Sequence, residues 1–157
     1  MASPFGKPRI GAGPAVERKT MSLVGPATGS CLCGGVTYRV TGPLRDVVAC
    51  HCRQCRRTSG HYVAATRCEA ADIAVAGETL VWFASSDVAE RGFCGRCGSN
   101  LFWRRFGGDK ISIWAGSLDG DTGLRLVAQI HAEAKGDYYD LPDVPCIEQA
   151  ALSDAPA

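Results

Sequence analysis

Apolar residues in most of this chain come in short runs, several of which alternate with polar residues. Val, Ile and aromatic residues recur in these runs, and turn-forming residues separate one run from the next. Short runs of this composition, cut by turn residues, are typical of β-strands. The pattern predicts eight strands, with the sequences VTYRV, DVVACHC, HYVAATRC, DIAVAG, TLVWFAS, NLFWRR, KISIWAG and LRLVAQIHAE.

No segment has the pattern of a long amphipathic helix, so the fold class expected is all-β. One short helical turn is predicted in RQCRRTSG, ending at Gly60, since glycine favours the backbone conformation at a helix C-terminus. Residues 1–28 are rich in Gly, Pro and Ala without a strand or helix period, and residues 149–157 are small and polar. We expect a flexible extension and a flexible tail on either side of one domain, residues 29–148.

Composition and charge narrow the classes of partner. A chain of 157 residues with 46% hydrophobic content can bury one core. Lys and Arg number 17 against 16 Asp and Glu, so no overall field attracts a nucleic acid or an anionic membrane, and neither is expected as a partner. We find no membrane-span pattern and no signal-peptide core, and we expect a cytoplasmic protein. In a reducing compartment, clustered cysteines indicate metal binding or catalysis rather than disulfides.

Seven of the nine cysteines fall into three groups, and two of these groups together suit a zinc site. Cys31 and Cys33 lie two residues apart, so on an extended segment their side chains point to one face. Cys94 and Cys97 lie in the turn sequence CGRCG, whose glycines let backbone amides face the sulfurs. Four thiolates in a tetrahedral set favour zinc. We expect a closed zinc site that joins points about sixty residues apart and contributes to folding.

The third group, Cys50, Cys52 and Cys55, has the spacing C-x-C-x-x-C. Cys50 and Cys52 share one face at a strand end, and Cys55 joins them only if the chain turns into a helix. The three sulfurs then meet at a helix N-terminus, whose dipole and amide hydrogens stabilise thiolates. Three ligands around zinc leave a fourth position for water or substrate. This spacing predicts an open zinc site, which Cys68 would close if it supplied a fourth sulfur.

The remaining candidates have simpler interpretations. His51 points away from the cysteine face of its strand, so we expect it to be packed or hydrogen-bonded rather than a ligand. His61 and His131 are not among the expected ligands either. Cys68 is most simply a buried, inert thiol. The aromatic residues in the strand-like runs are expected in the core: Trp82, Phe83, Phe102, Trp103 and Trp114.

Arg53, Arg56 and Arg57 crowd the predicted helical turn beside the third cysteine group. They form either a solvated basic face that offsets the charge of three thiolates, or a fork that binds a carboxylate beside the open zinc position. The second interpretation makes Arg53 and Arg56 candidate contacts for an acidic co-substrate.

Three stretches of the sequence resemble the glutathione-dependent formaldehyde-activating enzyme family, which also includes centromere protein V. They are GSCLCGGVTYRVTGP, ACHCRQCRRTSG and ERGFCGRCGSNLFWRR, and the resemblance extends from Gly29 to Glu148. It implies a zinc-binding all-β fold of several small antiparallel sheets arranged like a tent. It also implies that Cys31, Cys33, Cys94 and Cys97 hold a structural zinc ion, and that Cys50, Cys52 and Cys55 hold a catalytic one.

The activity implied by the resemblance is that of a carbon-sulfur lyase similar to S-(hydroxymethyl)glutathione synthase. Such an enzyme joins or splits a small aldehyde, formaldehyde, and a thiol, with glutathione as the possible co-substrate. Two alternatives stay open at this point. The chain is a zinc-stabilised binding module without catalysis, or it is a lyase that acts on a different glutathione or small-thiol adduct. The sequence leaves the oligomeric state open.

Overall fold

The computed structural model describes residues 26–150, which form ten strands and one α-helix. In chain order the elements are β1 (Ala27–Ser30), β2 (Thr37–Val40), β3 (Val47–Cys50), α1 (Arg53–Ser59), β4 (Val63–Glu69), β5 (Ile73–Ala76), β6 (Leu80–Ser86), β7 (Ala89–Cys94), β8 (Asn100–Arg105), β9 (Lys110–Trp114) and β10 (Leu126–Ile130). The predicted all-β class is confirmed. None of the helices in this part of the chain is long and apolar enough to cross a membrane.

The strands form two sheets of unequal size. A three-stranded antiparallel sheet has the order β1-β2-β5, and a seven-stranded sheet has the order β10-β3-β4-β9-β8-β7-β6. The larger sheet is antiparallel except at one edge, where β10 pairs in parallel with β3. This parallel pair is a feature that the strand pattern did not reveal, since it depends on how the long connection after β9 returns to the far edge.

The main core lies between the smaller sheet and one face of the larger sheet. Tyr38 of β2 packs edge to face on Phe102 of β8, with ring centroids 5.2 Å apart. Trp82 of β6 stacks on the same Phe102 ring at 6.0 Å. On β8 the consecutive residues Leu101 and Phe102 both lie in this core, at a register shift in the pairing with β7. Because side chains alternate along a strand, every second residue of β4 and β9 faces the core, and the residues between them form the opposite face of the sheet. That opposite face carries the candidate site.

The predicted helical turn is confirmed as α1, and it ends where the sequence indicated. Gly60 has a φ of 75°, and its amide donates to the carbonyl of Arg56 at 2.9 Å. Glycine adopts this left-handed conformation without the steric cost that a side chain brings. The helix therefore stops after two turns and leaves its first turn beside the end of β3.

Two strands were missing from the sequence prediction. Strand β7 has the sequence AERGFC and β1 has the sequence ATGS, both poor in the β-branched and aromatic residues that marked the other strands. Ala27 and Thr28, which the pattern assigned to the extension of residues 1–28, belong to β1 and pair with β2. Pairing and burial, rather than side-chain propensity, form this strand. The rest of that extension up to residue 25, and residues 151–157 of the expected tail, lie outside the described residues.

Candidate active site

Two turns bring four sulfur atoms together where the smaller sheet meets the larger one. Cys31 and Cys33 lie in the turn between β1 and β2. Cys94 is the last residue of β7, and Cys97 lies in the turn from β7 to β8. We call these four residues the tetrad. Their sulfur atoms all lie within 4.8 Å of one another. The predicted placement of Cys31 and Cys33 on an extended strand is wrong, because the chain turns immediately after β1.

The tetrad has the dimensions of a tetrahedral zinc site. The sulfur atoms of Cys31 and Cys33 are 3.6 Å apart, and those of Cys33 and Cys94 are 3.7 Å apart. Zn–S bonds of about 2.3 Å at tetrahedral angles place neighbouring sulfurs about 3.8 Å apart. Four soft sulfur donors at this separation therefore fit a zinc ion, and Cys33 and Cys97 lie on its more exposed side.

Hydrogen bonds favour the thiolates of Cys94 and Cys97, whereas burial and the neighbouring thiols raise the pKa of Cys33 to about 11. The amide of Val36 donates to the sulfur of Cys31 at 3.2 Å. A bond to the Thr79 hydroxyl lowers the pKa of Cys94, and bonds to Ser99 lower the pKa of Cys97 to about 5. Since a thiolate is the form that binds metal, these donors prepare the sulfurs as ligands.

The second cluster consists of Cys50, Cys52 and Cys55, which we call the triad. Cys50 ends β3, Cys52 is the N-cap of α1, and Cys55 is buried in the first turn of α1. All three sulfurs lie within 4.8 Å of one another, so this group also could hold a metal ion. No other His, Cys, Asp or Glu among the described residues joins the triad.

Cys52 is the thiol of the triad that ionises most readily. Its pKa is lowered by hydrogen bonds from the side chains of Cys50 and Cys55, and also by the backbone amides of Cys55 and Gln54. The same contact with Cys52 is the largest cause that raises the pKa of Cys50. The start of α1 therefore supplies the amide hydrogens that the sequence predicted for this cluster.

Arg91 of β7 places a buried positive charge against the triad. Its side chain is only 5% exposed, and its Nη2 lies 3.8 Å from the sulfur of Cys55 and 3.2 Å from Oε1 of Gln54. The guanidinium also lies 5.9 Å from the ring centroid of Trp114. No salt bridge to a carboxylate forms at Arg91 among residues 26–150. A buried cation without a carboxylate is costly, so the thiolates of the triad are its natural counter-charge.

The triad lies at one end of a cavity of about 880 Å³ above the exposed face of the larger sheet. A row of paired residues forms part of the floor, running from Arg67 on β4 through Ser112 and Trp103 to Arg91. Among residues 26–150, the lining contains one acidic side chain, Asp109, and six basic ones: Arg45, Arg53, Arg67, Arg91, Arg105 and Lys110. The cavity is therefore suited to a small anionic ligand with one end at the sulfurs.

The arginines expected beside the triad contribute less to this cavity than the strands do. Arg53 lines it, whereas Arg56 and Arg57 are absent from its lining and Arg57 is exposed. Sequence reasoning missed Arg67 and Arg91, although they share the face of Ala65 and Ala89 by simple alternation. Their identification required knowing which face of each strand meets the core and which faces the cavity.

Several of the expected core aromatics also have different positions. Trp103 and Trp114 are half-buried in the cavity lining, and Phe83 is 60% exposed on the edge strand β6. Phe102 and Trp82 do belong to the core, as expected. The difference arises because the sheet has two faces, and only one of them packs against the smaller sheet.

The histidines and the two remaining cysteines do not join either cluster. His51 is fully buried, and its Nδ1 lies 2.8 Å from the hydroxyl of Tyr139, which confirms that it is packed and hydrogen-bonded. His61 stacks in the same aromatic group, while His131 reaches the cavity lining without approaching the triad sulfurs. Cys68 is buried in the core on the other face of β4, and Cys146 is exposed. The possibility that Cys68 closes the triad is therefore wrong.

Comparison with known proteins agrees with the fold and family that the sequence motifs indicated. A protein of Schizosaccharomyces pombe described as an uncharacterized lyase is 29% identical over 115 residues, covering 71% of this chain and 82% of that protein. The crystal structure of a Rhodobacter sphaeroides protein is similar in fold, with a TM-score of 0.51 and 24% identity, covering 76% of this chain and 99% of the other. The family model described as glutathione-dependent formaldehyde-activating enzyme matches residues 26–134. The chain therefore belongs to the glutathione-dependent formaldehyde-activating enzyme family, as its sequence motifs indicated.

Proposed function

We propose that the protein is a zinc-dependent carbon-sulfur lyase that joins or splits formaldehyde, or another small aldehyde, and a thiol such as glutathione. The observation that carries this proposal is the triad, in which three sulfurs meet at the wall of a large basic cavity. A purely structural zinc ion needs four protein ligands, whereas three leave one position for a substrate. The family match and the similarity to a lyase support the same reaction class.

In this proposal the two cysteine clusters have separate roles. The tetrad would hold a structural ion, because its four sulfurs leave no position for a substrate and connect two turns of different sheets. The triad would hold the catalytic ion. Zinc bound there would lower the pKa of an incoming thiol or polarise the carbonyl of the aldehyde.

The residues around the triad orient the substrates and balance their charge. Three thiolates with one divalent ion carry a net negative charge, which the guanidinium of Arg91 offsets from behind Cys55. Trp103 and Trp114 provide apolar walls that limit access of water to the reacting atoms. In the forward reaction the thiol sulfur bonds to the carbonyl carbon, the thiol loses its proton, and the carbonyl oxygen gains one. The reverse reaction breaks the same carbon-sulfur bond.

The turnover test compares the zinc-loaded protein with the uncatalysed reaction, because thiols add to formaldehyde without help. The rate of formation and breakdown of the glutathione-formaldehyde adduct should rise in proportion to protein concentration, as followed by exchange NMR. Cys52→Ser should return the rate to the uncatalysed value, while Cys146→Ser, at an exposed cysteine outside both clusters, should match the native protein. A protein that holds two zinc ions and adds nothing to the uncatalysed rate would refute the lyase and favour a binding module.

A further inference from the structure

Strand β6 forms an open edge of the seven-stranded sheet. The strand at the other edge, β10, is covered by residues 145–147: the amide of Ile147 donates to the carbonyl of Gln129, and the amide of Gln129 donates to the carbonyl of Pro145, each at 2.9 Å. Among residues 26–150, no backbone segment covers the outer side of β6 in this way. An open edge presents amides and carbonyls that can pair with a further strand.

The pairing with β7 determines which backbone groups of β6 point outward. The carbonyl of Thr79 accepts from the amide of Gly95 at 2.7 Å, so Thr79 bonds toward β7. This direction alternates along an antiparallel strand, so Val81 and Phe83 also bond toward β7. The outward amides and carbonyls belong to the residues between and beside them: Leu80, Trp82 and Ala84. The register shift against β7 comes only after Ala84, so this outward row is regular.

The side chains of β6 do not protect this edge. Native sheets commonly block an open edge with charged residues or proline, and β6, with the sequence LVWFASS, contains neither. Val81 and Phe83 share one face of the strand and are 43% and 60% exposed. An uncharged edge with exposed apolar side chains is suited to an edge of the same kind, which a second copy of this chain provides.

A two-fold axis at Trp82 gives a register in which two such edges fit. Leu80 of one copy would pair with Ala84 of the other, and Trp82 would pair with Trp82, so the outward amides and carbonyls would all bond across the axis. On the exposed face, Phe83 of one copy would lie opposite Val81 of the other. These are the positions at which cross-strand side chains approach most closely, so both apolar side chains would be covered.

The size of the edge predicts a weak dimer. A seven-residue strand is about 24 Å long, so two such edges bury on the order of 1,000 Å² in total. This area is at the low end for a specific interface, and a dissociation constant on the order of 10 µM is expected.

Acidic residues at the two ends of β6 set the salt dependence. Glu78 precedes the strand and Asp87 follows it, both in turns. In an antiparallel pair, the Glu78 end of one copy approaches the Asp87 end of the other, which costs free energy that salt screens. Association should therefore be stronger at about 0.5 M than at about 0.05 M salt. The opposite trend would indicate an interface held by ion pairs, which is not this one.

We propose that β6 is a self-association surface through which two copies of this chain join their larger sheets edge to edge, antiparallel, about a two-fold axis at Trp82. Phe83 lies opposite Arg91 of β7, so the contact between Phe83 and Val81 forms on the same face as the triad. The two cavities then open on the same side of one continuous sheet. This inference does not depend on the proposed reaction.

Sedimentation velocity of the zinc-loaded full chain, from about 1 to 200 µM, tests the association. The native protein should pass from monomer to dimer over this range. Phe83→Lys brings a charge against the apolar partner face and should weaken the dimer at least about 10-fold, with a native circular dichroism spectrum because Phe83 is exposed. Val127→Lys, at a valine that is 38% exposed on the opposite edge strand β10, should associate as the native protein does.

A pair of double variants tests the register. Val81→Glu combined with Phe83→Lys puts opposite charges across the axis and should associate more tightly than Phe83→Lys alone, whereas Val81→Lys combined with Phe83→Lys should not. Amide hydrogen exchange on the native protein gives a check without mutation. The outward amides of Leu80, Trp82 and Ala84 should become protected as the protein is concentrated.

Four results would overturn the proposal. The native protein stays monomeric up to about 200 µM, as it would if another part of the chain covered β6. Phe83→Lys associates as tightly as the native protein. The two double variants associate equally. Exchange at the outward amides of β6 does not change with concentration.

Discussion

The Nη2 atom of Arg91 lies 3.8 Å from the sulfur of Cys55, and this contact connects the two cysteine clusters through one strand. Strand β7 ends at Cys94 of the tetrad, three residues after Arg91. An odd separation on a strand sends the two side chains to opposite faces of the sheet. The tetrad therefore positions β7 from the core side, and β7 in turn positions the guanidinium that faces the triad.

Replacing Arg91 should loosen metal at the triad while sparing the tetrad. Arg91→Met keeps the length of the side chain and removes the charge beside Cys55, so zinc affinity at the triad should fall about 10- to 100-fold. Competition with a chelator should show one ion released more easily and the other unchanged, and a cobalt-loaded sample should show altered thiolate-to-cobalt absorption from one site.

The control for this variant is Arg104→Met on the opposite face of the neighbouring strand. Arg104 pairs with Glu90 at 2.7 Å and lies over Trp82 at 4.0 Å, away from the triad. Arg104→Met should leave the zinc affinities of the tetrad and the triad unchanged. Identical chelator curves for Arg91→Met and the native protein would show that the guanidinium has no part in holding the metal.

Mutation of a single cysteine should separate the structural cluster from the catalytic one. Cys94→Ser should give unfolded or insoluble protein, because a zinc ion at the tetrad would join turns of two sheets and its binding free energy would be part of the folding free energy. Cys52→Ser should keep the native circular dichroism spectrum and lose one zinc ion by elemental analysis. Equal unfolding of the two variants would count against this division of roles.

Much of the fold could be predicted from local sequence patterns, whereas the lining of the cavity could not. The spacing of the cysteines predicted both clusters, and the turn into α1 placed Cys55 beside Cys50 and Cys52, because these are short-range relationships. Strand β1 was missed, since a four-residue strand of small residues is formed by its neighbours, and the parallel pairing of β10 with β3 was not predicted either. Such pairing between distant segments cannot be predicted from the local sequence.

The same limit explains the functional residues that were missed. Arg67 and Trp103 looked like ordinary strand residues, and only the assembled sheet shows that they face the cavity with Arg91. Arg53 and Arg56 were chosen because they are close to the triad in sequence. Of these two, Arg53 lines the cavity. Proximity in sequence correctly indicated which sulfurs come together, but it was a poor guide to the cavity walls around the triad.

Cys68 should behave as an inert thiol that destabilises the fold only at high pH. Burial raises its pKa from the ordinary 9.0 to about 12. Between these pH values the unfolded chain has lost a proton that the folded chain still holds, so the free energy of unfolding falls as pH rises. The free energy of unfolding should fall by on the order of 1 kcal/mol per pH unit above pH 9. In denaturant melts, the free energy of unfolding of Cys68→Ala should decline less steeply with pH.

Labelling at pH 8 offers a direct check of the same burial. Iodoacetamide should modify the exposed Cys146 in the native protein and reach Cys68 only after denaturation, as read by mass spectrometry of peptides. Labelling of both thiols at similar rates would mean that the core around Cys68 opens freely.

The proposed function requires that the triad binds zinc through three protein sulfurs and accepts the sulfur of a substrate as the fourth ligand. Zinc X-ray absorption on the two-zinc protein tests it most directly, by counting sulfurs around the metal before and after glutathione is added. An average of about 3.5 sulfurs per zinc, completed by oxygen or nitrogen, is expected before the addition, and it should rise to about 4 with glutathione. An average of four sulfurs before addition, or no change after it, would contradict the claim.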